Sequence, residues 1–118
     1  MGDAGEALLR LLGAWNEGEA SARDAILDET LGEGFRYEDP HAPAPFEGRD
    51  GMAEYLGVFR DSLPDATLLP QGRAQVTHGT AMARARIDRA GTPFARLVFV
   101  GATDGDRLVR VAGFVESE

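Results

Sequence analysis

The sequence predicts an α+β fold: three N-terminal helices packed on a strongly curved, mostly antiparallel sheet. Apolar residues recur at helical spacing in the first half of the chain and at strand spacing in the second. Two hairpin signals, Ala90-Gly91-Thr92 and Asp104-Gly105-Asp106, punctuate that second half. Helices first and an antiparallel meander afterwards leave one sheet face for the helices to cover. The 118 residues, without an internal repeat or a linker, are read as one domain, 1–118.

Leu8, Leu11, Leu12 and Trp15 form the apolar stripe of the first helix, which Gly18 closes. Ser21 followed by Asp24 resembles a capping box opening a second helix, whose inner side holds Ala22, Ile26, Leu27, Thr30 and Leu31. Gly32 and Gly34 are expected to stop it before a short strand, Phe35 to Glu38. Asp39 to Pro45 holds three prolines and reads as a loop. A third helix is expected from about Asp50, with Met52, Tyr55, Leu56 and Phe59 on one side and Pro64 ending it. Thr67 to His78 contains Pro70 and Gly72 and reads as an interrupted or bulged strand. Thr80 to Asp88 alternates, with Ala81, Ala83, Ala85 and Ile87 on one face. These small side chains leave either a larger cavity or room for a close helix. Strands from Phe94 to about Ala102 and from Arg107 to Val115 complete the meander.

Composition narrows the function. With 43% hydrophobic and 27% charged residues the chain is that of an ordinary folded domain. No apolar run approaches the roughly 20 residues of a membrane helix. The stretch from Met1 to Glu6 lacks the basic residues of a targeting signal, so the expected compartment is the cytoplasm. There is no cysteine, which excludes disulfides and thiolate chemistry, and the two histidines are not spaced as a helical metal pair. No metal and no cofactor are expected. All 12 basic residues are arginine, so Schiff-base chemistry is excluded, and the net charge of −8 argues against nucleic acid or an anionic membrane surface as partner.

Several local motifs share an order with a known family. Trp15-Asn16-Glu17-Gly18-Glu19 ends the first helix, Tyr37-Glu38-Asp39-Pro40 follows the second, and Gly48 precedes the third. Thr77-His78-Gly79-Thr80-Ala81 leads into a strand, and Val111-Ala112-Gly113-Phe114 lies near the end. In this order the chain resembles the NTF2-like superfamily, and within it the SnoaL-like group, over nearly its whole length. The resemblance implies a cone: a sheet curled around an apolar cavity, closed at the side by helices, in a homodimer formed through the sheet. Because that superfamily hosts isomerases, cyclases, epoxide hydrolases, dehydratases and transport factors, its fold leaves function to the site residues.

Asp39 is the candidate catalytic residue. The resemblance places it where steroid-isomerase relatives carry their general base, in a similar Glu-Asp-Pro context. A carboxylate at the mouth of an apolar cavity loses hydration and becomes a better base for a proton beside a carbonyl, the chemistry that ketosteroid isomerase exemplifies. The same resemblance sets Leu11 and Val98 (Phe99 with a one-residue shift) where those relatives hold their two oxyanion donors. Losing one such donor lowers rate by about 10²–10³. The alternative role for Asp39 is a turn cap before Pro40. Arg86-Ile87-Asp88 is similar to the Arg-x-Asp pair of limonene-type epoxide hydrolases, but Gly113 falls at their second acid; a solvated hairpin end is the commoner role. Trp15, Tyr37, His41, Tyr55, Phe59 and His78 are the candidate ligand-binding residues, with core packing, a structural histidine at 78 and an exposed one at 41 as the alternatives.

Three functions remain open from the sequence: a protein binding a small apolar molecule in its cone cavity, with acid–base chemistry at Asp39; a small isomerase, lyase or epoxide hydrolase acting on an apolar carbonyl or epoxide; and a dimeric interaction module whose cavity its own side chains fill.

Overall fold

The computed structural model describes residues 3–116, so Met1 and Gly2 of the acidic N-terminal stretch lie outside the described residues. Helix α1 (Ala4–Leu12) is capped by the Asp3 carboxylate, which accepts from the Glu6 amide at 2.9 Å. It buries Leu8, Leu11 and Leu12 completely. The apolar stripe runs on to Trp15, but the α-helix does not. Gly13–Asn16 tighten into a 3-10 turn, and Trp15 enters the core from there. Asn16 fixes that turn: its amide group donates to the Leu68 carbonyl at 2.8 Å and accepts from the Leu68 N–H at 2.7 Å.

Helix α2 (Ala20–Thr30) has Glu19 as its N-cap, without a side-chain cap. The expected Ser21–Asp24 capping box is therefore absent, because Ser21 already lies inside the first turn. Arg23 instead donates to the carbonyls of Glu17 and Gly18, closing the preceding loop. Strand β1 (Leu31–Glu38) begins directly after the helix. Gly32 and Gly34 lie in this strand rather than in a helix stop. A Cβ at Gly32 would come within 3.0 Å of the Arg107 Cβ, so the close approach of two strands calls for glycine there. A two-residue strand β2 (Phe46–Glu47) leads into α3 (Gly48–Ser62), which buries Met52 and Leu56.

Strands β3 (Ala66–Thr77), β4 (Thr80–Arg89), β5 (Thr92–Asp104) and β6 (Arg107–Val115) form the meander. The six strands lie in the order β2-β1-β6-β5-β4-β3, antiparallel except for the parallel β1–β6 pair. The expected interruption of β3 is a bulge: pairing with β4 slips between Gln71 and Gln75, where Gly72 adopts φ 79°. Ala81, Ala83, Ala85 and Ile87 of β4 are all buried, as their alternation predicts. Helix α1 packs on β3 and β4, and a Cβ at neighbouring Gly101 would stand 3.3 Å from the Leu8 side chain. Small residues here make room for the helix. Among the described residues no helix is long and apolar enough to cross a membrane.

Candidate functional site

Beyond the alanines the inner face of the sheet changes character. Ile87 of β4 and Ala95 and Leu97 of β5 face a cavity of about 470 Å³, a size at the lower-middle of small-molecule sites. Helix α3 contributes Tyr55, Val58 and Phe59, and the proline loop contributes Asp39 to Pro43. The lining is mainly apolar. Val58, Phe94 and Phe114, which line it, are more than half exposed, so the mouth is apolar as well.

A polar cluster stands against this wall. Asp39 directly follows β1, where Pro40 turns the chain, and its carboxylate is held by four donors. Oδ2 accepts from the hydroxyls of Tyr37 at 2.7 Å and Tyr55 at 2.6 Å. Oδ1 accepts from the backbone N–H groups of His41 at 2.8 Å and Ala42 at 2.9 Å. A carboxylate offers about four acceptor positions, so all are used. Tyr37, on β1, is 1% exposed. Burial foremost, then the neighbouring Tyr55 and Asp39, raises its phenol pKa far above the ordinary value. The Tyr55 phenol is raised as well, mainly by burial and then by its bond to Asp39. Both therefore stay protonated and act as donors.

The aromatic rings pack around this cluster. Trp15 meets Tyr37, Tyr55 and Phe99 edge-on, with centroids 5.8, 6.0 and 5.5 Å away, and Tyr37 and Tyr55 are 4.8 Å apart. Gly113 completes the arrangement, because a Cβ there would lie 3.2 Å from the Tyr37 hydroxyl and 3.3 Å from the Asp39 Cβ.

The cavity brings together Trp15, Tyr37, Asp39, His41, Tyr55 and Phe59. His78 is elsewhere. It is an exposed residue with φ 52° in the turn between β3 and β4, where a tight hairpin needs the left-handed conformation, and it does not line the cavity. Asp88 is also corrected: it is not a solvated hairpin end but 8% exposed, held bidentately by Arg86 at 2.6 and 3.1 Å, and it too lies off the cavity. The resemblance leaves Asp39 without phenolic or acidic partners at Leu11 and Val98. The structure supplies two phenols from other elements, β1 and α3. Phe46, Glu54, Ile87, Phe94, Leu97 and Phe114 also line the cavity and escaped the sequence reading.

No protein-family profile and no curated protein matches the chain. Solved structures do. A candidate isomerase of the SnoaL-like family from Agrobacterium tumefaciens strain C58 is 23% identical and superposes with a TM-score of 0.87, over 95% of this chain and 96% of that one. A candidate SnoaL-like polyketide cyclase from Jannaschia sp. CCS1 is 15% identical, with a TM-score of 0.73 over 93% and 85% of the two chains. A cystatin-fold protein from Novosphingobium aromaticivorans is 16% identical, with a TM-score of 0.75 over 96% and 98%. At these TM-scores the chain shares the fold of these structures, the cystatin fold of SnoaL-like and NTF2-like proteins.

Proposed function

We propose that the protein binds a small, mostly apolar molecule in the cavity, with its one polar group against the Asp39–Tyr37–Tyr55 cluster. The observation that carries this reading is a cavity of about 470 Å³ whose apolar wall is broken at one end by a fully hydrogen-bonded carboxylate. Such a layout takes affinity from the wall and orientation from the polar end. Asp39 here acts through the two phenols. The open volume also argues against an interaction module with a filled cavity. Titration with the neutral dye Nile red tests the reading. The expected result is saturable fluorescence enhancement that Ala95→Trp, which fills the cavity, abolishes; enhancement that survives this substitution would overturn it.

An enzymatic reading draws on two of the similar structures, described as a candidate isomerase and a candidate polyketide cyclase, and on the Asp39 carboxylate that lines the cavity. Deuterium exchange beside the carbonyl of tetralone in heavy water decides it: exchange above the buffer rate that Asp39→Asn removes would make Asp39 a base. We further propose that the sheet face away from the helices pairs with a second copy, since Val98, Val100 and Ala112 lie only half-buried there. Light scattering at tens of micromolar protein should give twice 12.6 kDa.

A further inference from the structure

We propose that the ligand is a protonated amine on an apolar body. This deepens, and rests on, the reading of the cavity as a ligand site. The direction of the hydrogen bonds is the starting point. Tyr37 and Tyr55 both donate to Asp39 Oδ2, so neither phenol has a proton left for a ligand, and the oxygen of Tyr55, the less buried of the two, can still accept. Asp39 has no acceptor position left either. A carbonyl compound, which only accepts, finds no free phenol proton at this end and is left with the ring N–H groups of Trp15 and His41 unless it pulls a phenol off the carboxylate. A ligand that donates can bond to a phenolic oxygen and leave the network whole.

Charge then separates the donors. Asp39 is negative, and its four partners are two phenols and two backbone amides, none of them charged. Among the described residues no arginine lines the cavity, although the chain has 12 basic residues. Glu54 adds a second carboxylate to that lining, and exposed His41 is its one basic side chain. Arg60 and Arg89 stack on Phe59 and Phe94 at 5.5 and 5.6 Å without lining the cavity, and Arg89 is paired with Asp65. Apolar walls preserve the resulting negative potential. Aromatic rings add to it: half-buried Tyr55 and Phe46 line the same end, and ring faces attract cations. An ammonium group satisfies all three conditions at once. It donates, it is positive, and it sits well against rings.

The test is calorimetric titration of the intact chain at neutral pH with two matched series. One is adamantylmethylamine, adamantanemethanol and adamantanecarboxylate; the other is octylamine, octanol and octanoate. The amine is expected to bind roughly tenfold more tightly than the alcohol in at least one series, as a desolvated cation contact implies, with the carboxylate weakest. Asp39→Asn should remove that advantage and spare alcohol binding. Tyr55→Phe, which removes a lone pair but not the charge, should reduce it. Equal affinity of amine and alcohol in wild-type protein would overturn the inference while the proposed function stands. Tightest binding by the carboxylate or the alcohol would do the same. Failure of all six compounds to bind would overturn both. The wild-type comparison needs no variant, so a misfolded Asp39→Asn protein leaves the outcome readable.

Discussion

Ala83 and Ala95 are alanines on the inner faces of adjacent strands, yet one is sealed in the core and the other borders open space. Ala83 belongs to the alanine face of β4 on which α1 packs. Ala95 lies opposite Ile87, and both line the cavity. Small side chains alone do not make a cavity. What decides is whether a helix packs directly on them, as α1 does on β4, or stands across open space, as α3 does with Tyr55, Val58 and Phe59.

The largest expected effect breaks the covered end. Leu8→Ala, at a fully buried residue, should destabilise the protein by about 2–5 kcal/mol in denaturant titration. Phe94→Ala at the cavity mouth should stay within about 0.5 kcal/mol, because that ring is 59% exposed. Equal losses would mean that the two ends share one packing regime. Overpacking sharpens the contrast. Ala83→Leu should destabilise by roughly 1–3 kcal/mol, whereas Ala95→Leu should leave the denaturation midpoint nearly unchanged and weaken Nile red binding.

Asp39→Ala leaves the buried Tyr37 hydroxyl without its acceptor and is expected to lower stability by about 1–3 kcal/mol. Gly113→Ala presses on the Tyr37 hydroxyl and the Phe99 ring at 3.2 and 3.1 Å and should lie near the lower end of the roughly 1–3 kcal/mol range for overpacking. A midpoint at the wild-type value would show that the phenol has room to move. The last contrast is a pH dependence confined to alkaline solution. Folding raises the pKa of both tyrosines, so above about pH 10 the folded chain binds more protons than the unfolded one and stability falls as pH rises. Below that region both states are protonated, and these groups add no slope. The chain has only two tyrosines, so phenolate absorbance should appear in one step, together with unfolding. An independent earlier step would place one phenol in solvent.

The sequence made the covered end easier to read than the cavity. Strict alternation from Ala81 to Ile87 predicts the buried face of β4 because strand geometry sends successive side chains to opposite sides. Pro64 and Gly72 likewise mark a helix end and a bulge through local chemistry. The Ser21–Asp24 pattern misled, since the helix starts at Ala20 with Glu19 as its N-cap and so takes Ser21 into its first turn. Gly32 and Gly34 have the composition of a helix stop, but a parallel strand beside β1 decides their place. At the site, Tyr37 and Tyr55 are 18 residues apart and meet only because β1 and α3 converge. Spacing holds no record of a contact made that way. Nor does it reveal that both phenols spend their protons on Asp39.

The two margins of the sheet bear on solubility. At one margin β2 has only two residues, too few to template another strand. At the other, β3 carries Pro70, which has no N–H to donate, and the slip between Gln71 and Gln75 breaks its rhythm. Neither margin offers a long, regular row of free amides and carbonyls to a neighbouring molecule. Strand-by-strand polymerisation, the route by which exposed sheets grow into fibrils, is thus blocked at both ends of the sheet.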